Sequence, residues 1–193
     1  MSATPDPKPA DYSEDGRVPE VTRDDFPADQ AGVYDHIMET RKLSFMPALF
    51  TMMGNSPGAL EAVASVGEHV RFHCTLDEVL RELVICHVSK EVGNWYEWCH
   101  HIFRMPERLQ TIVGTPAVED EPAPVGPALR FARLAANHEK IDDALVEELR
   151  GHLGDVGLVE LTVMVGYYQL IGTFCTVMQV PNEPQVNRVP FNE

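Results

Sequence analysis

No two of the four cysteines, Cys74, Cys86, Cys99 and Cys175, are spaced as CxxC or as a metal ribbon, so the sequence offers neither a paired redox motif nor a thiolate metal site. With 44% hydrophobic residues in 193, one domain can bury its core without disulfide staples, and reduced thiols packed as small apolar groups are expected. Basic residues are scarce. Fifteen Lys and Arg stand against 30 Asp and Glu, and the formal charge of -15 opposes binding to nucleic acid or to an anionic membrane. Partners should be small molecules or further copies of the chain. Long uncharged runs are missing too: only residues 158–180 approach a membrane span, and Glu160, Gln169 and two tyrosines interrupt that stretch, which reads as a core or interface helix. No alternating run of β-branched residues lies between turn signals, so the chain should be almost wholly helical. The opening MSATPDPKPADYSEDGR lacks the apolar core and charged leader of a signal peptide, and a cytoplasmic protein is expected.

What is present divides into an N-terminal arm over residues 1–20, a helical domain over 21–180 and an irregular tail over 181–193. The arm is rich in Pro, Asp and Ser and reads as flexible or as a strap over a neighbouring subunit. Structure should begin near Phe26, with a helix opened by Pro27 and running to about Thr40. Short helices opened by Pro47 and by Ser56-Pro57 follow, the second reaching about Cys74. Thr75-Leu-Asp-Glu78 reads as a capping box ahead of a helix carrying Val79, Leu80, Leu83, Val84 and Val88. Gly93-Asn94 marks a break before a helix from Trp95 to Arg104, and Pro106 starts a further short one. After a loop following Ala117, helices are predicted over 127–137 and 142–152, with a long one over 155–179. Apolar surface through Gly166, Tyr167 and Ile171 on the last suggests self-association.

The chemistry concentrates between Glu82 and His101. Asn94, Glu97 and His101 are three and four residues apart and share one helical face, and Glu82 on the preceding helix can return to the same spot. Alone, Glu97 and His101 read equally as an exposed i, i+4 ion pair; Trp95, Tyr96, Trp98, Ile102 and Phe103 supply the apolar surroundings that desolvate a carboxylate and suit it to acid/base work. Glu97 and His100 match ExxH, half of a di-iron motif, but no second ExxH occurs, and consecutive Cys99, His100 and His101 point about 100° apart, so no metal is expected. Cys86, one turn after Glu82, is either buried filler or a nucleophile activated by His87 or His101.

The pattern Arg81-Glu82-Leu-Val-Ile followed by Asn94-x-Tyr96-Glu97-Trp98-x-x-His101 resembles the carboxymuconolactone decarboxylase family of the AhpD-like superfamily. ArgLysLeuSerPheMetProAlaLeuPhe from Arg41, Ser56-Pro57, and Val159-Glu160-Leu with Gly166-Tyr167-Tyr168 are similar to its flanking signatures, so the resemblance spans roughly residues 18–180. It implies an all-α AhpD-like bundle that assembles as trimers or hexamers, with a pocket near each motif helix. In the peroxidase branch a glutamate precedes Cys-x-x-Cys-x-x-x-His by twelve residues. Here Glu82 and His101 match, but Asn94 and Glu97 stand at the cysteine positions, so the thiolate and the resolving thiol of a peroxidase cycle are both missing.

The resemblance therefore implies a cofactor-independent lyase that removes CO2 from a small unsaturated or aromatic-derived acid or lactone. In this reading His101 donates or relays the proton, Glu82 orients it, Glu97 is a second acid/base group and Asn94 hydrogen-bonds the developing enolate. Trp98 and Cys86 border the substrate, and Arg41 and Arg71 hold its negative charge. Two other readings are carried: a thiol-dependent peroxidase using Cys86 or Cys99, and a non-catalytic oligomeric binding protein whose pocket glutamates are solvated or ion-paired.

Overall fold

A computed structural model describes residues 8–193, so the first seven residues of the arm lie outside the described residues. Among the described residues there are helices and no strands, as the missing β-alternation requires. Eight α-helices follow one another: α1 (Ala31–Thr40), α2 (Ala48–Met53), α3 (Pro57–Glu68), α4 (Glu78–Glu91), α5 (Trp95–His101), α6 (Glu107–Gln110), α7 (Val125–Ala136) and α8 (Asp143–Met178).

Helix α4 is the centre of the bundle, packed against α5, α7 and α8. Every residue from Glu82 to Ser89 is buried, so the helix is enclosed on all faces along its middle. Its start differs from the predicted capping box. Asp77 is the N-cap, its carboxylate accepting the N–H groups of Val79 and Leu80 at 2.9 and 3.3 Å. Thr75 is instead drawn to Glu160 of α8, which accepts both its backbone N–H (2.8 Å) and its hydroxyl (2.6 Å). A tertiary carboxylate competed successfully for a local cap, and the competition ties the start of α4 to α8.

Helix α1 begins at Ala31 rather than at Pro27, because residues 27–30 form a hydrogen-bonded turn ahead of it. The helix opened by Pro57 ends at Glu68, and the chain continues to His73 as a π-helical turn. Helix α5 likewise tightens into a 3₁₀ turn over Ile102–Arg104, and a 3₁₀ turn over Pro116–Asp120 occupies the predicted loop before α7 starts at Val125. Within α8 the backbone breaks at Gly154 (φ 68°, ψ 177°), a conformation open in practice to glycine alone, so the predicted pair of helices is two segments meeting there.

Tyr12 of the arm and the C-terminal tail clasp the bundle. Trp95 and Trp98 are fully buried, and their indole N–H groups donate to the carbonyls of Val189 (2.8 Å) and Pro190 (3.0 Å). A buried indole N–H needs such an acceptor, and the non-helical tail supplies carbonyls free of intrahelical bonds. Tyr12 packs edge-on against Trp95 and donates to Val180 O. On α8, Tyr167 and Ile171 turn into the core, and the apolar side chains left in solvent are Val156, Val159, Val163, Leu170 and Val177. The exposed stripe thus lies on a different face from the predicted one, although Gly166 belongs to it.

Candidate active site

Gly93 adopts φ 68° and ends α4, after which the Asn94 side chain caps α5 by accepting the Glu97 N–H at 3.3 Å. This short link puts Glu97 and His101 one turn apart on α5, directly beside Glu82 of α4. Arg71 enters from the π-helical turn, a local widening that often accompanies functional sites.

These four side chains form one buried cluster. His101 Nδ1 lies 2.6 Å from Glu82 Oε2, and its Nε2 lies 3.1 Å from Glu97 Oε2. Arg71 donates to Glu82 Oε1 at 2.8 Å. Arg71 also comes within 3.1 Å of His101 Nδ1, but that nitrogen is closer to the Glu82 carboxylate. A bare lone pair on Nδ1 would face a carboxylate lone pair, so Nδ1 carries a proton. Both carboxylates are satisfied when the ring carries two, as an imidazolium between two anions with Arg71 as the second cation. Burial pushes the Glu82 and Glu97 carboxyls up, but the His101 hydrogen bond and charge, with Arg71 beside them, outweigh it and hold both below the usual carboxylate range. Burial likewise lowers Arg71, and the surrounding Tyr168, Glu82 and Glu97 reverse this, so it stays firmly cationic.

The cluster opens on a cavity of about 210 Å³. Glu97, His101 and Arg71 reach its wall, and Glu82 stands behind His101. The volume exceeds the roughly 150 Å³ that holds a benzene ring, so one substituted ring fits. Two further arginines line it. Arg41 donates to Ala64 O at 2.8 Å and lies over the Phe50 ring at 5.2 Å, while its buried Nη1 has no partner among the described residues. Arg104 uses Nε on the His100 carbonyl and sits at the exposed side. In a chain of charge -15, three guanidinium groups thus gather around one small cavity, one of them paired with Glu82. Phe50, Tyr167 and Tyr168 add apolar wall.

Several residues expected at the site are elsewhere. Asn94 is fully buried, caps α5 with its oxygen and does not line the cavity, so it is not placed to meet an enolate. Trp98 faces the C-terminal tail and stacks edge-on against Phe191. Cys86 is wholly buried away from the cavity; burial first, then the charges of Glu82 and Glu97, push its thiol far up. Burial also raises Cys99, to about 11. Neither thiol is held as a thiolate.

The sequence reading missed Tyr96, His100, Arg104, Tyr167 and Tyr168 as wall residues. Arg104 had a usable signal, one turn beyond His100 and His101; Glu183 of the tail, 2.8 Å from His100 Nε2, had none. No group of three His, Cys, Asp or Glu among the described residues is arranged to hold a metal ion.

No family model and no curated protein matches the chain. Solved structures do. The AhpD core of an uncharacterized peroxidase-related protein from Ralstonia eutropha JMP134 superposes with a TM-score of 0.70 at 17% identity, covering 91% of this chain and 97% of that one. The debrominase Bmp8, solved without ligand and, as an alanine-for-cysteine variant, in complex with 2,3,4-tribromopyrrole, superposes at 0.65 with 16% identity, covering 87% of this chain and 92% of that one. The chain has the AhpD-like all-α fold.

Proposed function

We propose that the protein is a cofactor-independent lyase that decarboxylates a small, unsaturated, anionic ring compound such as a lactone acid. The observation that carries this reading is the meeting of Arg41, Arg71 and Arg104 with the Glu97–His101 pair around one cavity of about 210 Å³. Loss of CO2 breaks the bond between the ring carbon and the carboxylate. The electron pair passes through the ring double bond into the lactone carbonyl, and a proton must then reach carbon.

His101, held by Glu82, passes that proton by way of Glu97, which faces the cavity, and His101 regains it from solvent. Arg41 and Arg104 take the place first assigned to Asn94: their guanidinium groups meet the dienolate oxygen as its charge develops. Glu97 is ionised at rest, so it accepts before it donates. The complex of Bmp8 with a halogenated pyrrole supports an unsaturated five-membered ring as the substrate size. The raised thiols of Cys86 and Cys99 speak against the peroxidase reading. Ion-paired glutamates are what a binding protein would also have, so turnover is the deciding measurement. Cytoplasmic location, and self-association through the exposed stripe of Val159, Val163 and Leu170, belong to the same proposal; a light-scattering mass checks the latter.

The test is CO2 release from 5-oxo-2,5-dihydrofuran-2-carboxylate and homologous lactone acids. His101→Ala should lower turnover by about 10²- to 10⁴-fold, the usual contribution of a positioned acid/base group. Full turnover in His101→Ala, or binding of these acids without any CO2 release, overturns the reading.

A further inference from the structure

We infer that His100, held by Glu183 of the C-terminal tail, is a second proton-transfer residue of the cavity, serving a substrate atom other than the one Glu97 serves. Consecutive helical residues project about 100° apart, so His100 and His101 approach the same cavity from different sides. Each imidazole has its own carboxylate from a different part of the chain, Glu82 of α4 for His101 and Glu183 of the tail for His100.

The second carboxylate is oriented independently of the histidine. Glu183 Oε1 accepts the Ala48 backbone N–H at 2.8 Å and the Tyr96 hydroxyl at 2.9 Å, which leaves Oε2 in contact with His100 Nε2 at 2.8 Å, close enough for an ion pair though off the line of a hydrogen bond, and neither atom has another partner among the described residues. Burial raises the Glu183 carboxyl, but the neighbouring His100 ring and the Ala48 N–H outweigh it and hold it below the usual carboxylate range. An ionised carboxylate has no proton to offer, so Nε2 is the nitrogen that bears hydrogen. The Tyr96 ring stacks on the imidazole at 4.3 Å and fixes its plane. Nδ1 has no hydrogen-bond partner among the described residues, on a ring that lines the cavity.

A mere staple for the tail would need only Nε2. Here the ring is held in the tautomer whose other nitrogen carries a lone pair, the arrangement of a carboxylate-backed general base. The charged groups around it are Glu183 from the tail, Glu97 on α5, and Arg104, Arg71 and Arg41 around the cavity. In the step proposed, a substrate C–H bond breaks, its electron pair enters the conjugated carbonyl, and Nδ1 takes the proton while Glu183 balances the imidazolium. The reverse step returns a proton to carbon. With Glu97 on another side, the cavity can move protons at two positions of one conjugated ring, so its substrates include carbon acids that isomerise or exchange without losing CO2. Only the substrate class rests on the lyase reading.

Glu183→Gln is the discriminating variant. The glutamine oxygen keeps the Ala48 and Tyr96 donors, so the tail stays bound, but its amide N–H groups now face Nε2 and reverse the tautomer. Long-range ¹⁵N–¹H spectra of the imidazoles should place the His100 proton on Nε2 in the parent and on Nδ1 in the variant. Deuterium uptake at the ring carbon bearing the carboxylate of 5-oxo-2,5-dihydrofuran-2-carboxylate, followed in D₂O, should fall by about 10²-fold or more in Glu183→Gln and in His100→Asn. An Nδ1–H tautomer in the parent, or parent-like uptake in both variants, overturns the inference. CO2 release without any dependence of uptake on His100 overturns it and leaves the lyase reading standing. Uptake that depends on His100 without CO2 release supports it and removes the lyase reading, and neither reaction in the parent overturns both.

Discussion

Replacing Glu82 by glutamine keeps its shape and removes its charge at the most enclosed point of the cluster. Glu82 is 3% exposed and serves two donors, Arg71 at 2.8 Å and His101 Nδ1 at 2.6 Å. A glutamine has one acceptor oxygen, so whichever way the amide turns, its NH₂ meets a former donor. Turning the oxygen to Arg71 costs least, since His101 can then drop its Nδ1 proton and accept instead. The His101 bond becomes a neutral one, and Arg71 keeps its charge but donates to an uncharged oxygen, without a counterion at full strength. Breaking a buried pair in this way costs about 3–5 kcal/mol, and at about 2–4 °C per kcal/mol for a chain of this length the melting temperature should fall by roughly 6–20 °C at pH 7. The sign with pH follows from the direction of the shift. Glu82 is held below its unfolded value, so its contribution is complete above about pH 4.5 and fades as pH falls through the folded value. Parent and variant should therefore converge in acid. Calorimetric melts of both at pH 7 and pH 4 measure the gap, and Arg71→Met added to Glu82→Gln should recover part of it by removing the orphaned cation. A gap below about 1 kcal/mol at pH 7 would show that the cluster is solvated and the reasoning about its charges wrong.

Three further outcomes are expected. Asp77→Ala should cost about 1 kcal/mol in urea unfolding as a lost N-cap, and an unchanged urea midpoint would show that the Asp77 carboxylate does not cap α4. Gly154→Ala should cost about 1–3 kcal/mol purely through backbone strain, because open space surrounds the position; an unchanged melting temperature would mean that α8 runs straight. In thiol labelling of the native protein, Cys74 should react first and Cys86 and Cys175 only on unfolding, since both are wholly buried and their thiols are pushed far up; rapid labelling of Cys86 would reopen thiol chemistry.

Local signals located most helices because they act within a few residues. Pro57, Gly93 and the break near Gly154 do their work through backbone dihedrals, which neighbours hardly alter. The i, i+4 spacing of Glu97 and His101 guaranteed a shared face once α5 was a helix. Where long-range partners compete, the local reading failed. Thr75 was drawn off its cap by Glu160, 85 residues away, and the apolar face of α8 could not be divided into buried and exposed sides from composition alone.

The candidate site divides along the same line. The sequence by itself determined an all-α chain, the absence of a paired thiol motif, and one helical stretch where carboxylates and histidines share a face, because composition and helical period are properties of adjacent residues. Only the tertiary structure decided which of those groups meet: it set Glu82 and Arg71 on His101, spent Asn94 on a cap, turned Trp98 to the tail, and brought Glu183 to His100 across 83 residues. Those pairings depend on how buried charges find partners once apolar faces have packed, and no spacing along the chain encodes that.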